Sequence, residues 1–221
     1  MFSLSGRVTH SKPLFVYYAV MTMGRPRTAS DGQVLAGTAR AIARLGPARL
    51  TLAAVGREVG LAPATLVQRF GSKRGLLLAL VRHSTLTAAD GFADTGTDGG
   101  QPLRALVDAL AAKTEALTPE ALSNHMAFLQ LDLADPEFRQ LAGEHARAVR
   151  DQIRAHLDAA VDAGQLPRQD TGRLARSVQV AYNGALLTWA LEPDGPVQER
   201  VRQEIEIVLA AAARTFPAGP H

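Results

Sequence analysis

The stretch Thr51–Leu80, TLAAVGREVGLAPATLVQRFGSKRGLLLAL, reads as a helix, a tight turn, a second helix and the start of a third. Leu52, Val55 and Val59 recur at helical spacing and predict one apolar face for the first helix. Gly60 falls where the chain must turn sharply, and glycine tolerates the positive φ that ends many helices. Pro63 suits the first turn of the next helix, because its missing N–H would be unpaired there anyway. Leu66 and Phe70, four apart, give that helix its buried stripe. Pro63, Ala64, Thr65, Val67, Gln68 and Arg69 are left to face a partner. Ser72 is placed to cap a third helix with Lys73 in its first turn. This is a helix-turn-helix pattern.

Charge is divided along the chain in a way that fits the motif. Residues 24–83 carry ten Lys/Arg against Asp31 and Glu58, a net of +8, while residues 84–221 hold twelve Lys/Arg against nineteen Asp/Glu, a net of −7. A basic module joined to an acidic one predicts nucleic-acid binding confined to the first. The chain of 221 residues is long enough for two small domains. Alanine and leucine abound and strand-type alternation is hard to find, so the fold class expected is all-α. No cysteine is present, which excludes disulfides and thiolate metal sites and fits a reducing cytoplasm.

An amphipathic helix precedes the motif, and a long helix follows at once through Phe70-Gly-Ser-Lys-x-x-Leu76-Leu. With Thr51, Val55, Gly60, Leu61, Thr65, Leu66, Phe70, Lys73 and Leu76 in place, residues 30–81 resemble the N-terminal domain of the TetR family of bacterial transcriptional regulators. Ala163-Gly-Gln-Leu, Asp170 and Ala181-Tyr-Asn-Gly-Ala-Leu more loosely resemble its C-terminal regulatory domain. The family usually has an aromatic, most often tyrosine, at Val67, commonly a serine at Ala62, and an aromatic or histidine at Arg69. The resemblance implies a two-fold dimer and a ligand cavity among the fifth to eighth helices, through which a small-molecule effector alters the spacing of the DNA-binding domains.

Taken in order, residues 1–23 do not look like the rest. Leu14–Met23 is apolar but about half the length that crosses a bilayer. We expect disorder here, with the working protein starting near Met21 or Met23 and no membrane partner. Gly24-Arg25-Pro26-Arg27 reads as a stiffened arm whose Arg25 and Arg27 enter the minor groove. The DNA-binding domain is expected over residues 24–83 and a helical regulatory and dimerisation domain over 84–216, with 217–221 a loose tail. Helix 1 should be capped by Ser30 or Asp31 and end at Leu45 before Gly46-Pro47. Residues 90–100, rich in Gly and Asp, predict a loop. Helices are then expected over about 102–117, 119–133, 136–163, 170–191 and 197 onward, the last two (helices 8 and 9) forming the interface of a homodimer.

Catalytic patterns are absent: no Gly-x-Ser-x-Gly, no phosphate loop, no dinucleotide fingerprint and no His-x-x-x-His pair. No enzyme activity, cofactor or metal is expected. Glu144-His145 and His156 with Asp158 read as exposed helix polars. The function expected is a sequence-specific regulator of double-stranded DNA, a repressor released from an inverted-repeat operator by an effector. The alternatives are an architectural DNA-binding protein without effector, or a ligand-binding dimer that has lost DNA recognition. Pro63, Ala64, Val67 and Gln68 would meet base edges, Gln68 suiting adenine and Val67 or Ala64 a thymine methyl. Thr51, Thr65, Arg69 and Lys73 would hold phosphates. His125, Met126, Phe128, Gln179, Tyr182, Asn183 and Trp189 are the candidate effector lining, and aromatics at 5% favour an apolar or amphipathic ligand over a cation held in an aromatic cage.

Overall fold

A computed structural model describes residues 29–88, 92 and 100–214. The expectations for residues 1–23, for Arg25 and Arg27, for most of the 90–100 loop and for the tail at 217–221 lie outside the described residues. Among those described there are nine helices and no strand. They are α1 (Asp31–Arg49), α2 (Leu52–Val59), α3 (Pro63–Phe70), α4 (Lys73–Leu86) and α5 (Pro102–Ala112), followed by α6 (Pro119–Ala134), α7 (Pro136–Asp162), α8 (Thr171–Leu191) and α9 (Val197–Arg214).

The helix starts are built from caps that satisfy otherwise orphaned backbone N–H groups. Ser30, not Asp31, caps α1, in a reciprocal box. Its Oγ accepts from the Gln33 N–H at 3.3 Å, and the Gln33 side chain accepts from the Ser30 N–H at 2.8 Å. The regular helix ends at Gly46, where φ turns to +72°, and Pro47 opens one further turn to Arg49. Leu45, expected inside, is only half-buried for that reason. Thr51 caps α2 through the Ala54 N–H at 3.1 Å, and Gly60 closes it in left-handed geometry at φ 71°, ψ 28°. Pro63 opens α3, Ser72 caps α4 through the Gly75 N–H, and Asp170 caps α8 through the Arg173 N–H. Helix α5 stops at Ala112, five residues short of the expected end, because Lys113–Ala116 form turns.

Two cores follow from the apolar stripes. The first buries Val34, Ile42, Val55, Leu66, Leu76 and Leu80 of α1–α4, and takes in Phe128 of α6 with Phe138 and Leu141 of α7. Phe128 and Phe138 meet edge to face, centroids 6.1 Å apart. The second core is built from α5, α7, α8 and α9 around Leu106, Leu110, Ile153, Leu157, Tyr182, Leu186 and Ile205. Helix α4 runs unbroken past residue 83, so the expected domain division falls inside a helix.

Polar contacts hold the two halves together. Asn124 on α6 donates from Nδ2 to the Ala43 carbonyl of α1 at 2.6 Å. Arg74 on α4 grips Asp135 through paired bonds of 2.9–3.1 Å and reaches Glu137 at 2.9 Å, while Arg82 takes Glu137 at 2.8 Å. The hydrogen bonds from Arg74 hold the Asp135 carboxyl below the usual carboxylate range. Within the first half, Arg40 at 2.8 Å and Arg44 at 3.1 Å converge on Glu58 and tie α1 to α2. Glu58 is accordingly held low by Arg40 first.

Candidate nucleic-acid interface and effector region

The short α3 has one buried residue, Leu66, and this single anchor fixes which side faces out. Pro63, Ala64, Val67 and Gln68 are all exposed, with Val67 46% accessible, and Thr65 is half-buried. At a helical repeat of 3.6, positions 63, 64, 67 and 68 share a face. The face is small, neutral and apolar but for Gln68. It has the width and chemistry to enter a major groove. Ala62, at the N-cap, makes no side-chain capping bond.

The expected phosphate-binding residues are placed differently from one another. Thr51 is exposed, yet its hydroxyl oxygen is accepting the Ala54 N–H, so its cap role is observed and its O–H remains to donate. Lys73 gives one of its three N–H donors to the Pro47 carbonyl at 2.7 Å, bracing α4 against the end of α1. Arg69 turns away from the α3 outer face. Its Nε lies 2.8 Å from Asp31 Oδ1, a second guanidinium nitrogen contacts the same oxygen, and the third donates to the Ala29 carbonyl at 2.6 Å. Sequence alone carries no local signal for this pairing, because Asp31 lies 38 residues earlier.

The candidate effector residues do not form one lining. Phe128 is fully buried in the N-terminal core against Phe138, and Asn183 is exposed on the outer face of α8. Trp189 is buried at the end of α8 with Nε1 donating to the Gly195 carbonyl at 3.0 Å. Gln179 is held by α7, accepting from Arg150 at 3.1 Å and donating to the Ala146 carbonyl at 3.0 Å. Tyr182 is buried in the second core. His125 and Met126 are half-buried on α6.

His125 is close enough to His145 of α7 to feel its charge. Burial first, and that neighbour second, push its imidazole down to about 4. His145 is also pushed down, mainly by burial and partly by Lys113. Lys113 is itself buried, its ammonium 4.6 Å from the Phe92 ring centre, and Phe92 lies against His156 at 5.5 Å. His145 and His156 are therefore not the exposed polars expected. The helical period around each was the signal that could have found them, since Val149, Ile153, His156 and Ala160 share one buried side of α7.

The model of the tetR family of bacterial regulatory proteins matches residues 34–80, and that of the BetI-type transcriptional repressor C-terminal domain matches residues 100–216. This chain belongs to the TetR family. It is thus a DNA-binding transcriptional regulator with a repressor-type C-terminal domain, in a family of regulators rather than of enzymes. The HTH-type transcriptional regulator BetI of Burkholderia lata is 27% identical over 188 residues, covering 81% of this chain and 93% of that protein. A TetR transcription regulator from Haloarcula marismortui superposes with TM-score 0.70 at 20% identity, over 83% of this chain and 98% of its own. The complex of SmeT with triclosan superposes with TM-score 0.64 at 22% identity, over 87% and 97%; SmeT is the repressor of the Stenotrophomonas maltophilia multidrug efflux pump SmeDEF. Among the described residues of this TetR-family chain no helix is long and apolar enough to cross a membrane, and no three potential metal ligands cluster.

One acid in this TetR-family protein yields a pH prediction. Asp132 on α6 is 6% exposed, its Oδ1 has no hydrogen-bond partner among the described residues, and burial pushes its carboxyl up to about 7. A carboxyl raised on folding binds its proton more tightly in the native state. Its contribution therefore favours folding at low pH and is lost as pH rises from about 4 to about 7. Asp132→Asn is expected to stabilise the protein at pH 8 by about 1–3 kcal/mol, with little effect at pH 4. Melting curves at the two pH values check this, and an equal shift at both would remove Asp132 as the cause.

Proposed function

We propose that this protein is a cytoplasmic homodimer that represses transcription from an inverted-repeat operator and is released by a small, apolar or amphipathic effector. The observation that carries the reading is the exposed α3 face of Pro63, Ala64, Val67 and Gln68 on a domain of net charge +8. In this reading Gln68 pairs with an adenine through N6 and N7, and Ala64 or Val67 touches a thymine methyl. The hydroxyls of Thr51 and Thr65 and the remaining N–H donors of Lys73 hold phosphates, and Arg25 and Arg27 reach the adjacent minor groove. DNA binding is assigned to residues 24–83, and effector binding with dimerisation to residues 84–216.

Dimerisation is supported by a second apolar stripe on α8. Val180, Leu187 and Leu191 project outward at 66%, 47% and 75% exposure, and Ile207 does so from α9 at 62%. Residues 180, 184, 187 and 191 fall on one helical face, with nothing within 4 Å of a Cβ added at Gly184. Apolar residues aligned on one exposed helical face, rather than scattered singly, support an interface there. A dimer places two α3 helices on successive major grooves about 34 Å apart.

Effector binding is assigned to the neighbourhood of His125 and Met126 on α6 and His145 on α7. Burial lowers both imidazoles, His125 to about 4, so the two rings are neutral at pH 7 and polar without charge. SmeT with triclosan supports a small-molecule ligand for this architecture. The ligand must favour the DNA-incompetent arrangement, since equal affinity for both shifts nothing.

Selection of bound duplexes from a randomised library at moderate salt tests the reading: an enriched inverted repeat is expected, and weak salt-sensitive binding without any motif would sink it. With that operator in hand, Gln68→Ala should cost about 1–3 kcal/mol at one base pair per half-site and relax preference there alone. Unchanged preference at every position would remove Gln68 from base readout.

A further inference from the structure

The guanidinium of Arg69 sits at the last turn of α3, and its hydrogen-bond partners are Ala29 and Asp31, where the chain enters α1. Its three nitrogens take Asp31 Oδ1 twice and the Ala29 carbonyl once, the latter at 2.6 Å, and its carbon lies 5.7 Å from the Phe70 ring centre. The side chain is only 26% exposed for an arginine on a DNA-facing helix, whereas Asp31 is 69% exposed. A planar fork engaged on a carboxylate and a backbone carbonyl together fixes the geometry between two segments in a way that lysine's point charge does not.

We propose that Arg69 is a positioning residue. It latches the residues at which the N-terminal arm enters the domain onto the end of the base-reading helix, so that minor-groove and major-groove contacts are made in fixed register. The inference rests on the operator-binding reading above and assigns the Arg69 side chain a role other than holding a phosphate. Ala29 and Asp31 follow directly on the arm in sequence, so the bonds from Arg69 fix the point at which the folded domain begins. Asp31 is one of only two acids in residues 24–83, and in the latch its charge is spent on Arg69 instead of opposing the phosphates.

The distinguishing measurement is the dependence of operator affinity on salt for the full chain and for Arg69→Ala, Asp31→Asn, the double variant and Arg69→Lys. Each phosphate contact contributes about 0.9 to the slope of log affinity against log salt. The latch predicts that Asp31→Asn and Arg69→Ala each weaken binding about 10-fold and each flatten the slope by up to about 2, as the two arm arginines disengage. The double variant should be no weaker than the worse single one, and Arg69→Lys should fail to restore binding. Hydroxyl-radical protection of the minor groove beside each half-site should disappear in both single variants while melting temperatures stay within a few degrees. A phosphate contact predicts otherwise: Asp31→Asn tightens binding, Arg69→Ala alone lowers the slope by about 1, and Arg69→Lys keeps most of the affinity. That pattern overturns the latch and leaves the repressor reading standing. If the unmodified chain binds no duplex specifically, the repressor reading fails and the latch fails with it.

Discussion

Leu187→Glu is expected to turn the protein into monomers and to weaken operator binding at least about 100-fold. Leu187 lies at the centre of the outward stripe on α8, with Val180 toward the start of the helix and Leu191 at its end. Two copies packed through this stripe would bury the new carboxylate against its own symmetry mate, placing like charges together in a desolvated seam. Removing two charges from water without partners costs several kcal/mol, enough to cancel the association energy of a modest interface. The loss on DNA follows from linkage, because a dimer binds its second half-site at an effective concentration near millimolar and a monomer must find it from solution. Sedimentation velocity reads the first effect and operator titration the second. A variant that remains dimeric would move the interface off α8. Gly184→Ala makes a milder companion: within the protomer nothing crowds the new methyl, so the helix itself should gain about 1 kcal/mol, and only close approach of a second copy could reverse the sign.

Gly56→Ala should have an effect as large by a different route. Gly56 lies inside α2, where alanine would ordinarily add about 1 kcal/mol of helix stability. Here a Cβ would sit 2.4 Å from the Leu61 carbonyl oxygen and 3.7 Å from the Pro63 nitrogen. These are backbone atoms of the turn between α2 and α3, and they cannot swing aside as a side-chain tip can. The turn is also tied back to this same residue, since the Leu61 N–H donates to the Gly56 carbonyl at 2.9 Å. A methyl at this position must prise α3 away from α2, and overpacking of that kind costs about 1–3 kcal/mol after the propensity gain is overcome. Because α3 has only one fully buried residue, Leu66, the displacement should abolish operator binding before it unfolds the chain. Circular-dichroism melting and operator titration of Gly56→Ala check both parts. An unchanged melting temperature with unchanged affinity would mean that the turn yields freely.

The helix-turn-helix was legible in the sequence because its signals are short-range. Thr51, Gly60, Pro63 and Ser72 each act on backbone groups within four residues, and each sits in the structure where those local rules put it. The outward face of α3 followed from one apolar spacing, Leu66 to Phe70. What escaped depends on how helices lie across each other. Asp31 and Arg69 meet because α3 returns to the start of α1, and no period in either helix announces that meeting. Phe128 reads as a pocket aromatic on α6 until that helix is laid on α1, where it becomes part of the DNA-binding core. Tyr182 and Asn183 are neighbours in sequence, yet the 100° between them sends one into the second core and the other to the outer face. Gly56 gave no signal either, since a small residue inside a helix looks permissive until the backbone pressed against it is seen.

The core shared by Phe128, Phe138 and Leu141 with α1–α4 bears on how such proteins can be recombined. A chimera that grafts residues 29–88 onto a foreign sensor would carry over the exposed α3 face and leave behind one wall of the hydrophobic interior. The open wall would expose Leu76 and Leu80 to water and strand Asn124's partner, the Ala43 carbonyl. Swappable headpieces would need either α6 and the first turns of α7 in the transplanted cassette, or matching aromatics in the recipient. Parts libraries assembled at the helix-turn-helix boundary alone would yield insoluble fusions for a reason unconnected with operator choice.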